Sequence, residues 1–136
     1  MKLLMHHVKE FWYKTYGKTL DGVETVEKED KITEALLVFL HTEKEDEENK
    51  NKVTNKAIKN VKWLINKLSV KNVVLHAFAH LSTSKSAPEF GQDVIKDITT
   101  KLENIGLNVH LTPFGYFLEY SMHVYGESLA KVFKSI

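Results

Sequence analysis

Apolar residues recur along the chain in two rhythms, and together these predict an alternating order of strands and helices. Lys2 to Val8 and Glu10 to Tyr16 read as two strands, the second rich in aromatics (Phe11, Trp12, Tyr13, Tyr16) and closed by Gly17. Gly17 to Lys31 is polar and reads as a surface loop. Ala35-Leu-Leu-Val-Phe-Leu40 is a continuous apolar run, as expected of a strand covered on both faces. After the solvated charge run Glu43 to Lys52, the residues Val53, Ala57, Val61, Leu64, Ile65 and Leu68 repeat at helical spacing, which predicts an amphipathic helix ending near Ser69. Trp63 falls off that stripe.

Asn72 to Phe78 reads as a second buried strand, followed by a small polar loop, Ser82 to Ala87. Pro88 suits the first turn of a helix whose stripe is Phe90, Val94, Ile98, Leu102 and Ile105, and Gly106 stops it as a C′ residue does. Leu107 to Leu111 is then a strand, Pro113 to Gly115 a turn, Tyr116 to Tyr125 a strand, and the residues after Gly126 a short terminal helix. This order predicts an α/β fold, with mixed sheet packed on two main helices, as a single domain over residues 1–136.

Composition narrows the chemistry. The chain has no cysteine, which removes disulfides, thiolate metal sites and thiol catalysis and suits a reducing cytoplasm. The opening apolar run is too short for a secretory signal, and no stretch approaches the ~20 apolar residues that span a bilayer, so no membrane partner is expected. Nineteen cations against 18 carboxylates leave a formal charge of +1, which argues against a strong grip on duplex DNA while leaving local contacts to a nucleic acid open. Every cation is a lysine, so anions are met by point charges or backbone amides rather than by guanidinium forks.

Common catalytic signatures are absent: there is no glycine-rich phosphate loop, no G-x-S-x-G elbow and no H-E-x-x-H. His76 and His80 are four apart but straddle a strand end, where that spacing does not bring two rings together; no metal or other cofactor is expected. His6 and His7 are neighbours on a strand and point to opposite faces. Trp12, Tyr13 and Tyr16 are expected to pack in the core rather than at a dimer interface. The segments that invite a ligand are Phe78-Ala79-His80 and Pro113-Phe114-Gly115, because strand ends followed by small residues line crevices in α/β sheets.

Four segments carry a resemblance: Met1-Lys-Leu-Leu-Met-His-His7, Val38 to Asn49, Phe78-Ala-His-Leu-Ser82 and Pro113-Phe-Gly-Tyr116. In this order and spacing the chain resembles the archaeal threonyl-tRNA synthetase N-terminal editing domain. The resemblance implies a D-aminoacyl-tRNA deacylase-like fold, a homodimer, and a hydrolase that removes serine from threonine tRNA. The partners implied are the 3′ end of that tRNA and a synthetase catalytic domain or subunit. By this match Ala79 and His80 border the seryl group, Phe114 and Gly115 present backbone to the ester and ribose, and Phe117 stacks on adenine where the family commonly has a tyrosine. His41 and Thr42 match positions that line the family's pocket.

Two departures accompany the match. Leu118 stands where the family carries a pocket lysine, and Lys131 where it carries a pocket glutamate. One expectation is that the cation has moved, with Lys131 acting into the pocket from the terminal helix beside His80 as a catalytic group. The other is a non-catalytic module of the same fold that binds tRNA or a partner. A D-aminoacyl-tRNA deacylase is the third reading.

Overall fold

The structure is a computed structural model that describes all residues, 1–136. Six strands form one mixed sheet: β1 (Lys2–Lys18), β2 (Glu29–His41), β3 (Asn72–Ala77), β4 (Asn108–Leu111), β5 (Tyr116–Val124) and β6 (Lys131–Ser135). Two long helices, α1 (Lys50–Leu68) and α2 (Pro88–Asn104), cross over between the parallel pairs β2–β3 and β3–β4. The sheet order is β4-β3-β2-β1-β5, with β6 beside the first half of β1. No helix is long and apolar enough to cross a membrane.

The apolar run of β2 is buried on both faces for two different reasons. Leu36, Val38 and Leu40 point to the helices and join Leu3, Met5, Val73 and Leu75 in packing on Ala57, Val61, Leu64, Val94, Ile98 and Leu102. Leu37 and Phe39 point the other way, into a cluster with Val8, Phe11, Tyr13 and Val74 that no helix covers. That face is closed by the sheet itself. β4 and β5 lie at opposite ends of the strand order, yet only Thr112–Gly115 connects them, and four residues span at most about 15 Å. The sheet therefore curls until its edges approach, which lays the Tyr120 ring of β5 5.8 Å from Phe39 of β2, a strand two places away.

Three expectations are corrected. The two N-terminal strands are one, β1, and the break expected at Lys9 is a shift in its register with β5. The terminal helix is absent: Ser128–Ala130 makes one short 3-10 turn and Lys131–Ser135 is strand. The reason is long-range, since β5 leaves β1 at Val8 and exposes the edge Lys2–His6, which β6 then pairs. Of Trp12, Tyr13 and Tyr16, only Tyr13 is a core residue as expected; Trp12 is half-buried with its indole N–H on Glu29, and Tyr16 is 84% exposed.

Candidate active site

The C-terminal ends of β2 and β3, the first turns of α2 and the β4–β5 turn converge on a cavity of about 420 Å³, within the range of small-molecule sites. His41 and Thr42 come from the end of β2, and Ala77, Phe78, Ala79 and His80 from the end of β3. Phe114, Gly115, Phe117 and Leu118 come from the turn and from β5. The N–H groups of Ala79, His80, Phe114 and Gly115 donate to no acceptor in the protein. Two separate segments thus border one cavity with free main-chain donors. No carboxylate lines it, and its titratable side chains are His41, His76, His80, Lys85, Tyr116 and Tyr120.

The segment after β3 is rich in serine, yet hydrogen bonds hold it against the segment after β2. His41, 1% exposed, accepts the Leu81 N–H at Nδ1 (3.0 Å), so its proton is on Nε2, which donates to the Ser84 carbonyl at 2.7 Å. Ser82 Oγ donates to Glu43 at 2.6 Å and the Ser86 N–H to the Thr42 carbonyl. Ser86 Oγ donates to the Ala87 carbonyl, which leaves the Thr42 hydroxyl to donate to Ser86 Oγ at 2.6 Å. Gly91 of α2 packs so closely here that a Cβ would stand 2.9 Å from Thr42 Oγ1. Burial pushes the Glu43 carboxyl up, but hydrogen bonds from the Met1 ammonium, Ser82 and Lys2 outweigh it and hold the group at about 2.

The opposite wall is fastened by the loop between β1 and β2. The Thr19 N–H donates to the Gly115 carbonyl at 2.7 Å. Tyr116 donates its hydroxyl to the Glu24 carbonyl and accepts from the Val26 N–H. Thr19 and Leu20 then line the cavity.

Every site residue expected from the sequence borders this cavity except Lys131. Because residues 131–135 are strand, Lys131 pairs with His6 of β1 and its Nζ donates to the Tyr125 carbonyl at 2.8 Å. The one lysine among the residues that line the cavity is instead Lys85 of the serine-rich loop. Sequence reasoning also missed His76, Gly91 and Thr19. Gly91 had a signal, since glycine inside a helix sacrifices about 1 kcal/mol against alanine and so marks a close approach. Thr19 had none, being brought in by the pairing of β1 with β5, whose last pair is Lys18 with Tyr116.

His76 sits at the cavity with Nδ1 2.8 Å from Thr112 Oγ1 and with the Phe39 and Phe78 rings beside it. Burial lowers its pKa from 6.5 to about 4. The unfolded chain accepts a proton near 6.5 that the folded one refuses. The stability contributed by this group is therefore complete above pH 6.5 and lost as pH falls towards 4, at roughly 1.4 kcal/mol per pH unit. Urea unfolding at pH 7, 5.5 and 4.5 should show that slope and His76→Phe should lose most of it; equal slopes in the two proteins would contradict the assignment. The remainder belongs to His6, lowered by burial and by the charge of Lys131, and at the acid end to Glu43, whose carboxyl the unfolded chain protonates near 4.5 and the folded one only at about 2.

Over its whole length, residues 1–136, the chain matches the archaea-specific editing domain of threonyl-tRNA synthetase. It is a member of that family. Among curated proteins, this editing domain is 33% identical over 138 residues to the threonine-tRNA ligase of Methanosphaera stadtmanae. Identity is 32% over 136 residues to that of Methanocaldococcus jannaschii and 30% over 139 to that of Thermococcus sibiricus. Each match takes in the whole chain and 22% of the relative's length. Among solved structures, a c-Myc DNA unwinding element binding protein superposes with a TM-score of 0.66 at 13% identity, covering 100% of this chain and 99% of that one. The editing domain has the α/β, D-aminoacyl-tRNA deacylase-like fold, with a mixed sheet and two main helices.

Proposed function

We propose that this editing domain hydrolyses the ester of serine mistakenly joined to threonine tRNA. The observation that carries the reading is the cavity bordered by four free backbone N–H groups on two segments and by no carboxylate. Such donors, fixed before reaction, stabilise the oxyanion that forms when water attacks an ester. The water oxygen bonds to the carbonyl carbon, the C–O bond to the terminal ribose breaks, and the proton shed by water ends on the departing ribose oxygen. In the absence of a carboxylate base, the neighbouring ribose hydroxyl of the substrate and His80 at the rim are the groups that guide the water. Ala79, Phe114 and Gly115 hold the aminoacyl ester and ribose, Phe117 at the mouth stacks on the adenine, and Lys85 faces the substrate as the cation of the wall.

The physical need for such a site is the weakness of a methyl group as a signal. A synthetic pocket that accepts threonine gains only about 1–3 kcal/mol over serine, so a second pocket applies the reverse test by refusing the larger side chain. Small residues suit such steric refusal. Ala77, Ala79 and Gly91 line the cavity, and Thr42 is locked against Ser86. The reading places the domain in the cytoplasm, working with the rest of a synthetase. It also includes assembly as a homodimer, for which the exposed Met122 on the edge strand β5 offers a contact.

The test is hydrolysis of matched seryl- and threonyl-tRNA by the purified chain. Serine should be released faster by at least about tenfold; loss of both esters at the background rate would refute hydrolysis and leave the non-catalytic module. Leu118 on the cavity wall in place of a cation is the observation that favours that second reading.

A further inference from the structure

The near-neutral charge of the chain hides a sharp division between its two helices. α1 carries six lysines in 19 residues and no aspartate or glutamate. α2, packed on the same face of the sheet, carries two lysines against four carboxylates, Glu89, Asp93, Asp97 and Glu103. A genome that favours lysine over arginine accounts for the residue type but not for this segregation, because 18 acidic residues are spread over the rest of the chain.

The lysines of α1 are also ordered. Lys52, Lys56, Lys59, Trp63 and Lys67 recur at i, i+4, i+7, i+11 and i+15, which puts them on one stripe, and all are exposed. The stripe lies opposite the buried side formed by Ala57, Val61, Leu64 and Ile65. It runs about 22 Å at 1.5 Å per residue. Of the six lysines only Lys50 is in an ion pair, with Asp97 at 3.0 Å. Trp63, 40% exposed within the stripe, has Lys134 Nζ 5.2 Å from its ring centroid, adding a cation from β6.

Acidic residues precede the helix, but most are turned away from the stripe. Glu43 and Asp46 bind the Met1 ammonium, Glu45 accepts from Ser84 Oγ, and Glu47 accepts the Ala87 N–H. α1 begins at Lys50, eight residues after Thr42 and beyond the short turn Lys44–Glu48, at the same end of the sheet as the cavity though none of its residues lines it, and runs towards the start of β3. The stripe is therefore a track of unpaired positive charge that starts at the cavity's end of the sheet and leads away from it.

We propose that this stripe docks the phosphate backbone of the RNA arm whose aminoacylated end enters the cavity. The proposal rests on the reading of the cavity given above. Ammonium groups meet phosphates as point charges without reading bases, and an exposed tryptophan among them offers a stacking or packing surface. A track of this kind supplies affinity from the arm and leaves discrimination to the cavity.

The test is the full chain carrying Lys52→Ala, Lys56→Ala and Lys59→Ala together, exposed positions where alanine keeps the helix. Binding of deacylated tRNA is measured over a range of salt, with phosphatidylserine vesicles as a second probe. Each lost phosphate contact should lower the slope of log affinity against log salt by about 0.7–0.9, so the triple variant should lose roughly 2–3. Its KM for seryl-tRNA should rise, while hydrolysis of a seryl-adenosine ester, which has no phosphodiester, stays as in the parent. Unchanged affinity and slope for tRNA would overturn the proposal, as would loss of vesicle binding alone. A parent that hydrolyses neither ester yet shows the lysine-dependent slope would support docking and refute the hydrolase reading, so the two failures are distinct.

Discussion

Gly115→Ala is expected to destabilise the chain by about 2–5 kcal/mol and to slow ester hydrolysis by about a hundredfold or more. Gly115 has φ +82°, in the left-handed region where a Cβ meets the following carbonyl and adds roughly 1–2 kcal/mol. Its Cβ would also stand 2.7 Å from Val23 Cγ1 in the loop that crosses this wall. Overpacking of that kind adds about 1–3 kcal/mol. Relief requires the turn or the crossing loop to move, and the turn holds two of the four free amides. Since a displacement of about 1 Å can reduce a rate a hundredfold, activity should suffer even at temperatures where the variant is folded. Thermal unfolding together with seryl-tRNA hydrolysis well below the midpoint checks both parts. A variant with parental stability and rate would show that the turn does not position the reacting ester.

His41→Ala should cost about 2–3 kcal/mol of stability and detach the loop bearing Ala79 and His80. The ring is buried and both nitrogens are engaged, one accepting from the Leu81 amide and the other donating to the Ser84 carbonyl. Alanine removes both bonds, strands the half-buried Leu81 amide and leaves a void. The expected signature is a higher KM with a lower kcat, and faster hydrogen exchange at Leu81 than in β2 or β3. His41→Gln, which offers both an acceptor and a donor, should recover part of the loss. If Leu81 exchange in His41→Ala matched the parent, His41 would touch the ligand rather than pin the loop, and the account of the wall would need reversing.

The contrast between Lys131 and Lys85 shows where sequence reading stops. Lys131 follows Ser-Leu-Ala, a helix-friendly run, and on a helix it was expected to act into the pocket. Whether those residues coil or extend was decided by an unpaired edge on β1, more than a hundred positions earlier in the chain. Lys85 lies in a loop with no periodicity to read, and hydrogen bonds from the 41–47 segment place it. The same limit holds for Thr19 and Leu20, which read as surface loop until the pairing of β1 with β5 sets them against Gly115.

Residue spacing alone was enough for the order of elements from β2 to β5, the two helix stripes with their stop at Gly106, the doubly buried β2, and the two short segments that meet at the cavity. Those features are local, written in residue spacing and in turn chemistry that neighbours impose on one another. Long-range contacts settled the fate of the last strand, the lysine on the cavity wall and the free amides. Each of these depends on which distant edges and faces come together, and a strand or loop carries no local record of the partner that will satisfy its backbone.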